Sequence, residues 1–194
     1  MLPIVLERIK HLGFAVFQDG DYDLNVFGIR SKERIAGEWD DQLGLAYKEN
    51  GEWVVRSWEA TTDISLKYLR TPINVKGGAI LVADQQYRGV YAIAKHRGQY
   101  QALCQRNGPV RVYRDDNRDS THDMVDSTIE SGMFGINIHR AHPTIELAKV
   151  RGYSAGCQVF KNPDHFKTFM TICRKQVKLR GWNSFSYTLL NQWW

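Results

Sequence analysis

No stretch of this chain approaches the roughly 18 consecutive apolar residues that a membrane span requires, so none is expected. Glu7, Arg8 and Lys10 interrupt the opening residues where a signal peptide needs an unbroken apolar run, so the expectation is synthesis in the cytoplasm without that route of export. Cysteine is scarce as well. Cys104, Cys157 and Cys173 are odd in number and none stands in a C-x-x-C pair, which excludes a disulfide framework and a zinc knuckle and leaves at least one thiol free. There is no internal repeat, linker or low-complexity stretch. Basic residues are dispersed and no nucleic-acid-binding module is present, so no nucleic-acid partner is expected, nor a cofactor or resident metal.

What is present is enough apolar and aromatic material, 43% and 12% of 194 residues, for one domain with a proper core. The net charge of +5 favours encounter with anionic polymers and says nothing about the fold. The first dozen residues read as a helical brace, with Pro3 suited to its first turn, Val5, Ile9 and Leu12 at helical spacing, and Gly13 to end it. Short β-rich runs then follow between turn signals: 14–17, 24–29, 43–47, 53–58, 79–82, 89–93, 101–104 and 110–113. Asn50-Gly51 sits where a tight hairpin would put it. Later, Asn162 is a helix cap, Pro163 fits the first position, and Phe166, Phe169, Met170, Cys173 and Val177 form an apolar stripe that ends at Gly181. A final strand is expected over 184–190, with Trp193-Trp194 docking it to the body. The fold expected is α+β: a mainly antiparallel β domain over residues 1–194, with an N-terminal helix and a C-terminal helix packed on the sheet.

Two segments carry chemistry. Gly132-Met-Phe-Gly-Ile-Asn-Ile-His-Arg140 reads as a buried strand delivering a histidine, and Tyr153-Ser-Ala-Gly-Cys-Gln-Val-Phe160 as a tight turn delivering a cysteine. A cysteine after Ser-Ala-Gly can sit on a turn whose backbone N–H groups converge, which is what an oxyanion hole requires. His139 can then take the thiol proton or hold a thiolate–imidazolium pair, lowering the thiol pKa from about 8.5.

The pair His139 with Ser154-Ala-Gly-Cys157 resembles the active-site signature of the L,D-transpeptidase catalytic domain, a histidine, a variable loop, then Ser/Thr-x-Gly-Cys. The resemblance implies a β-rich fold in which Cys157 attacks a stem-peptide carbonyl of peptidoglycan and forms a thioester, with His139 as base. It also implies Gly156 and Cys157, with Ser154 and Ala155, as the oxyanion turn, and Arg140 acting on the base through its backbone carbonyl. An amine acceptor gives a 3→3 cross-link and water gives cleavage. Two positions depart from the family: Ala155 where histidine is frequent, and Val159 where a polar residue is. The segments 22–30, 60–63 and 132–139 also resemble small bacteriophage-associated proteins described as L,D-transpeptidase-like or lytic. That branch implies a route to the wall through phage lysis machinery or as a virion component. A virion structural or wall-binding protein and a cysteine peptidase acting on protein stay open beside it.

Other features are less specific. His96, beside Lys95 and Arg97 at an expected strand end, is open to two readings, an exposed loop residue or a contact for a stem-peptide carboxylate. Tyr153 and Gln158 flank the cysteine and are candidates for substrate contact. Tyr87, Tyr91 and Tyr100 are read as core or groove lining, and Cys104 and Cys173 as core. Asp115, Asn117, Asp119, Asp123 and Asp126 fall at calcium-loop positions 1, 3, 5, 9 and 12. Ser120 replaces the required glycine, however, and the favoured reading is a solvated loop, with a role as lid or substrate contact open to it.

Overall fold

The computed structural model describes residues 1–194. Eight strands close into a barrel: β1 (Asn25–Arg30), β2 (Asp41–Glu49), β3 (Glu52–Thr61), β5 (Gln85–His96), β6 (Tyr100–Gln105), β9 (Ile138–Arg140), β10 (Gln158–Phe160) and β11 (Phe185–Asn191). Their order around the barrel is β1-β11-β5-β6-β9-β10-β3-β2, and β4 (Gly78–Leu81), β7 (Val110–Asp115) and β8 (Glu130–Gly132) form a separate small sheet. Three helices complete the α+β architecture: α1 (Ile4–His11), α2 (Leu66–Arg70) and α3 (Pro163–Arg180).

Local signals set most elements. Glu49 pairs with Glu52 across Asn50-Gly51, whose φ angles of 53° and 81° give the left-handed two-residue turn that matches strand twist. The Asn162 side chain accepts the Asp164 and His165 N–H groups, a cap that contributes about 1 kcal/mol. Gly181 ends α3 in the left-handed conformation. The helix lays Phe166, Phe169, Met170 and Cys173 on the same apolar cluster as the barrel strands. Against the other side, α1 packs Val5, Leu6 and Ile9 on Phe27, Ile29, Ala46 and Leu190, while Trp193 covers this cluster and Trp194 stays exposed.

Several expectations need correction. Residues 14–17 form no strand, because both neighbours of β1 are already taken by barrel closure. Their backbone bonds instead to side chains, Ala15 N–H to Gln86 and Phe17 N–H to Asn25. The sheet is mainly antiparallel, but two of its joints, β1–β11 and β9–β10, are parallel. The segment 132–140 is not one strand: β8 ends at Gly132 and β9 begins at Ile138, with Gly135 at φ +72° in the bend between them. The helix α2 carried no clear sequence signal.

Beneath the barrel rim, Arg30 is fully buried. Its Nε lies 2.7 Å from Asp63 Oδ1 and directs its hydrogen to Thr62 Oγ1 at 3.2 Å, while the Nη atoms donate to the Leu81 and Thr62 carbonyls. Truncating one member of such a pair strands the other charge away from water, which costs far more than an exposed pair contributes. Arg30→Met is therefore expected to lower the unfolding free energy by about 3–5 kcal/mol in a urea titration; a loss under 1 kcal/mol would contradict this account.

Candidate active site

Cys157 owes its position to three neighbours in its own turn. Gly156 adopts φ +115°, and a Cβ there would lie 2.3 Å from the Ala79 carbonyl oxygen, so neither the backbone angle nor the space admits a side chain. Ser154 is buried, with its Oγ 2.7 Å from the Asp63 carbonyl and 2.8 Å from that of Cys157, and it accepts the Gly156 N–H. Gln158, on the other side, donates to the Thr62 and Gly156 carbonyls and accepts from Tyr187 Oη at 2.8 Å. The Gly156 N–H is thus engaged, while the N–H groups of Ala155 and Cys157 bond to nothing in the chain.

The register of β9 and β10 places the histidine. Gln158 pairs with Ile138 and Val159 with His139, and both Gln158 and Ile138 point into the barrel. Alternation along a strand then puts Cys157, Asn137 and His139 together on the opposite face, with His139 one pleat along from the cysteine. The sulfur is half-buried and hydrogen-bonds to backbone, receiving the Asn137 N–H at 3.4 Å and lying 3.6 Å from the Gly135 carbonyl.

Hydrogen bonds fix both imidazole tautomers. His139 Nδ1 lies 2.8 Å from the Arg140 carbonyl, which can only accept, so the proton is on Nδ1 and Nε2 keeps a lone pair. Asn137 Oδ1 accepts the Gln105 N–H at 2.9 Å, which turns its amide NH2 toward His96 Nδ1 at 3.0 Å; His96 therefore carries its proton on Nε2. The two rings stack, centroids 4.2 Å apart at 26°. Burial, and then the neighbouring His96, lowers the His139 pKa to about 3, while burial with Arg97 and Arg106 lowers that of His96 to about 4. The Cys157 thiol moves the other way, pushed up to about 11 by burial. This runs against the expected lowering: burial favours the neutral form of both groups, with Arg97 adding to it at the imidazole and opposing it only in part at the thiol.

A cleft of about 450 Å³ opens at Cys157, and Ala155, Asn137, His96, Arg97 and Arg114 are among its lining residues. No Asp or Glu faces it. His139, only 4% exposed, lies behind His96 and not on the cleft wall. His96 is accordingly neither a loop residue in solvent nor a free contact, but the buried ring between Tyr100 and His139. The Arg140 carbonyl accepts the His139 Nδ1–H, while its guanidinium stacks 4.1 Å over Tyr100.

Two candidates for substrate contact are not at the cleft. Gln158 is fully buried in the bonds described above, and Tyr153 packs on the cluster of Trp39, Leu147 and Val150. Tyr87 and Tyr91 are core residues. The Asp115–Asp126 loop brings no three metal-ligating groups together, since the Asn117 amide donates to Asp119 and Asp123 in the space between them. None of residues 116–126 lines the cleft, so the loop is no lid in this conformation.

The residues that sequence reasoning missed are Asn137, Gln105 and Arg97. Gln105 Oε1 accepts the N–H groups of Phe134, Gly135 and Ile136 and so shapes the loop that delivers Asn137. A polar residue at the end of an apolar strand was the one available signal. Comparison with models of known protein families, with curated proteins and with solved structures returns no match.

The resting protonation state is open to test. With a thiol pKa near 11, about a thousandth of Cys157 is thiolate at pH 8. Its iodoacetamide alkylation is expected to be slower than that of free cysteine at pH 8 and to climb through pH 10. The imidazole nitrogen NMR shifts of His96 and His139 are expected to report opposite neutral tautomers and no protonation between pH 8 and about pH 5. A thiolate already present at pH 7, or either ring titrating near 6.5, would sink this assignment.

Proposed function

We propose that the protein is a cysteine acyl-transfer enzyme of the L,D-transpeptidase-like kind, acting on peptidoglycan stem peptides and passing the acyl group to water. The observation that supports it most is a cleft-facing Cys157, its own N–H unengaged, on the same strand face as a His139 whose Nδ1–H is held by the Arg140 carbonyl. A third group orienting the base is the recurring logic of such sites. The substrate rests on the resemblance of the His139 and Ser154-Ala-Gly-Cys157 segments alone.

In this reading the sulfur attacks the peptide carbonyl as its proton passes toward His139 Nε2, and a C–S bond forms. The Cys157 N–H bonds to the oxygen that gains charge. Collapse breaks the C–N bond, the amine leaves with the proton, and a thioester remains for water to cleave. Because both groups are neutral at rest, proton transfer accompanies attack and does not precede it. Water is favoured as acceptor because Ala155 leaves that wall of the cleft without a polar side chain and Val159 is buried under Trp39.

A second reading, a wall-binding or virion protein that keeps the architecture without turnover, is favoured by the raised thiol pKa and by the absence of a sulfur–imidazole hydrogen bond. Muropeptides incubated with the wild-type chain and with Cys157→Ala, their products read by mass spectrometry, separate the two. Shortened stem peptides from the wild type and none from Cys157→Ala are expected. Exclusive 3→3 dimers would replace hydrolysis by cross-linking, and identical product sets from both proteins would leave the binding role.

A further inference from the structure

Between β5 and β6 the chain turns within four residues, His96 to Gln99, closed by the Gln99 N–H on the His96 carbonyl at 3.0 Å. Its two central residues, Arg97 at φ +48° and Gly98 at φ +73°, are both left-handed. Asparagine, aspartate or glycine suits the first of these positions, and an arginine there is disfavoured by roughly 1 kcal/mol. The turn holds Arg97 on the wall of the cleft that Cys157 occupies.

The charge there is uncompensated. Arg114, the other cation on the cleft wall, is bonded to Glu130 at 2.9 Å and stacked 4.7 Å over Phe134. Arg97 is exposed, has no ion-pair partner and makes no side-chain hydrogen bond, although a guanidinium offers five donors in a planar fork. With no carboxylate on the cleft wall, the field at its mouth is positive, and it falls on His96, His139 and Cys157 alike.

We infer that Arg97 is a specificity-determining residue that binds the C-terminal carboxylate of the acyl-donor peptide, so that the preferred donor is a short peptide acid. Arg97 and Cys157 line one cleft of about 450 Å³, a size that takes a small ligand, and an unpaired guanidinium fork suits a carboxylate, so a short peptide that offers a carbonyl to Cys157 has its terminal carboxylate for Arg97. The inference rests on the assignment of Cys157 as nucleophile only for what the bound peptide then undergoes.

Two synthetic stem tetrapeptides, one a free acid and one a C-terminal amide, test it by calorimetry on Cys157→Ala and on Cys157→Ala with Arg97→Gly. Glycine accepts the left-handed turn, so the second protein is expected to melt no lower than the first. The acid is expected to bind the Arg97 protein at least about tenfold more tightly than the amide, and Arg97→Gly to abolish that preference. Arg97→Lys should retain part of it, since the charge stays and the fork is lost. No binding of the acid, equal binding of acid and amide, or a preference that survives Arg97→Gly overturns the inference. Acid-selective binding with no thioester on wild-type Cys157 would keep it and sink the enzymatic reading, whereas equal thioester formation from both peptides would do the reverse.

Discussion

One buried guanidinium holds together what the rest of the structure needs. Arg30 leaves β1 and reaches the Thr62-Asp63 segment and the end of β4, elements far apart in the chain. That segment is where the cysteine turn is fastened: the Asp63 carbonyl takes the Ser154 hydroxyl, the Thr62 carbonyl takes Gln158, and Ser65 N–H bonds to the Ser154 carbonyl. A charge without access to water tolerates no slack in its partners, since each lost bond exposes it to the full cost of desolvation. Order is thus passed from the barrel to the turn that carries Cys157. The bonds that Ser154, Gly156 and Gln158 make within the turn hold its shape, and those to Thr62, Asp63 and Ser65 hold its place.

The same dryness defines the electrostatics of the site. Excluding water raises the thiol and lowers both imidazoles, so the resting set is uncharged, with its polarity laid down in hydrogen bonds. Asn137 is the joint of that network. Its backbone N–H meets the sulfur, its amide meets His96, and its carbonyl oxygen accepts from Gln158. Anything that displaces Asn137 moves the sulfur and the imidazole stack together.

How much of this could be read from the residues depended on how local the cause was. The Asn162 cap, the Gly181 stop and the Asn50-Gly51 turn are decided within a few residues, and each stands in the structure where its chemistry puts it. The spacing of His139 and Cys157 was equally legible, and the β9–β10 register brings both to one face. What stayed hidden is non-local. The parallel joint between β9 and β10, strands of three residues, has no periodicity to detect, and barrel closure leaves no mark on residues 14–17, which have the composition of a strand but no open barrel edge to pair with. Buried polar residues mislead for a different reason. Arg30, Gln105 and Gln158 belong to types that are mostly exposed, and only the polar partners gathered round them by the fold make burial possible. His96 shows the two effects together: its sequence neighbours make a solvent turn, as expected, while its ring folds back under Tyr100 onto His139.

On the proposed reading, a neutral resting site and a positive cleft mouth belong to one design. A preformed thiolate in a dry pocket would need a cation against it, and such an ion pair would compete for the very charge that attracts an anionic substrate. Keeping the thiol protonated leaves Arg97 free for the substrate. Binding then displaces water from the cleft, where a low dielectric strengthens the bond between the Cys157 N–H and the oxygen that becomes negative. The charge separation that burial forbids at rest is thereby deferred to the step in which the tetrahedral oxygen, and not the sulfur, carries it.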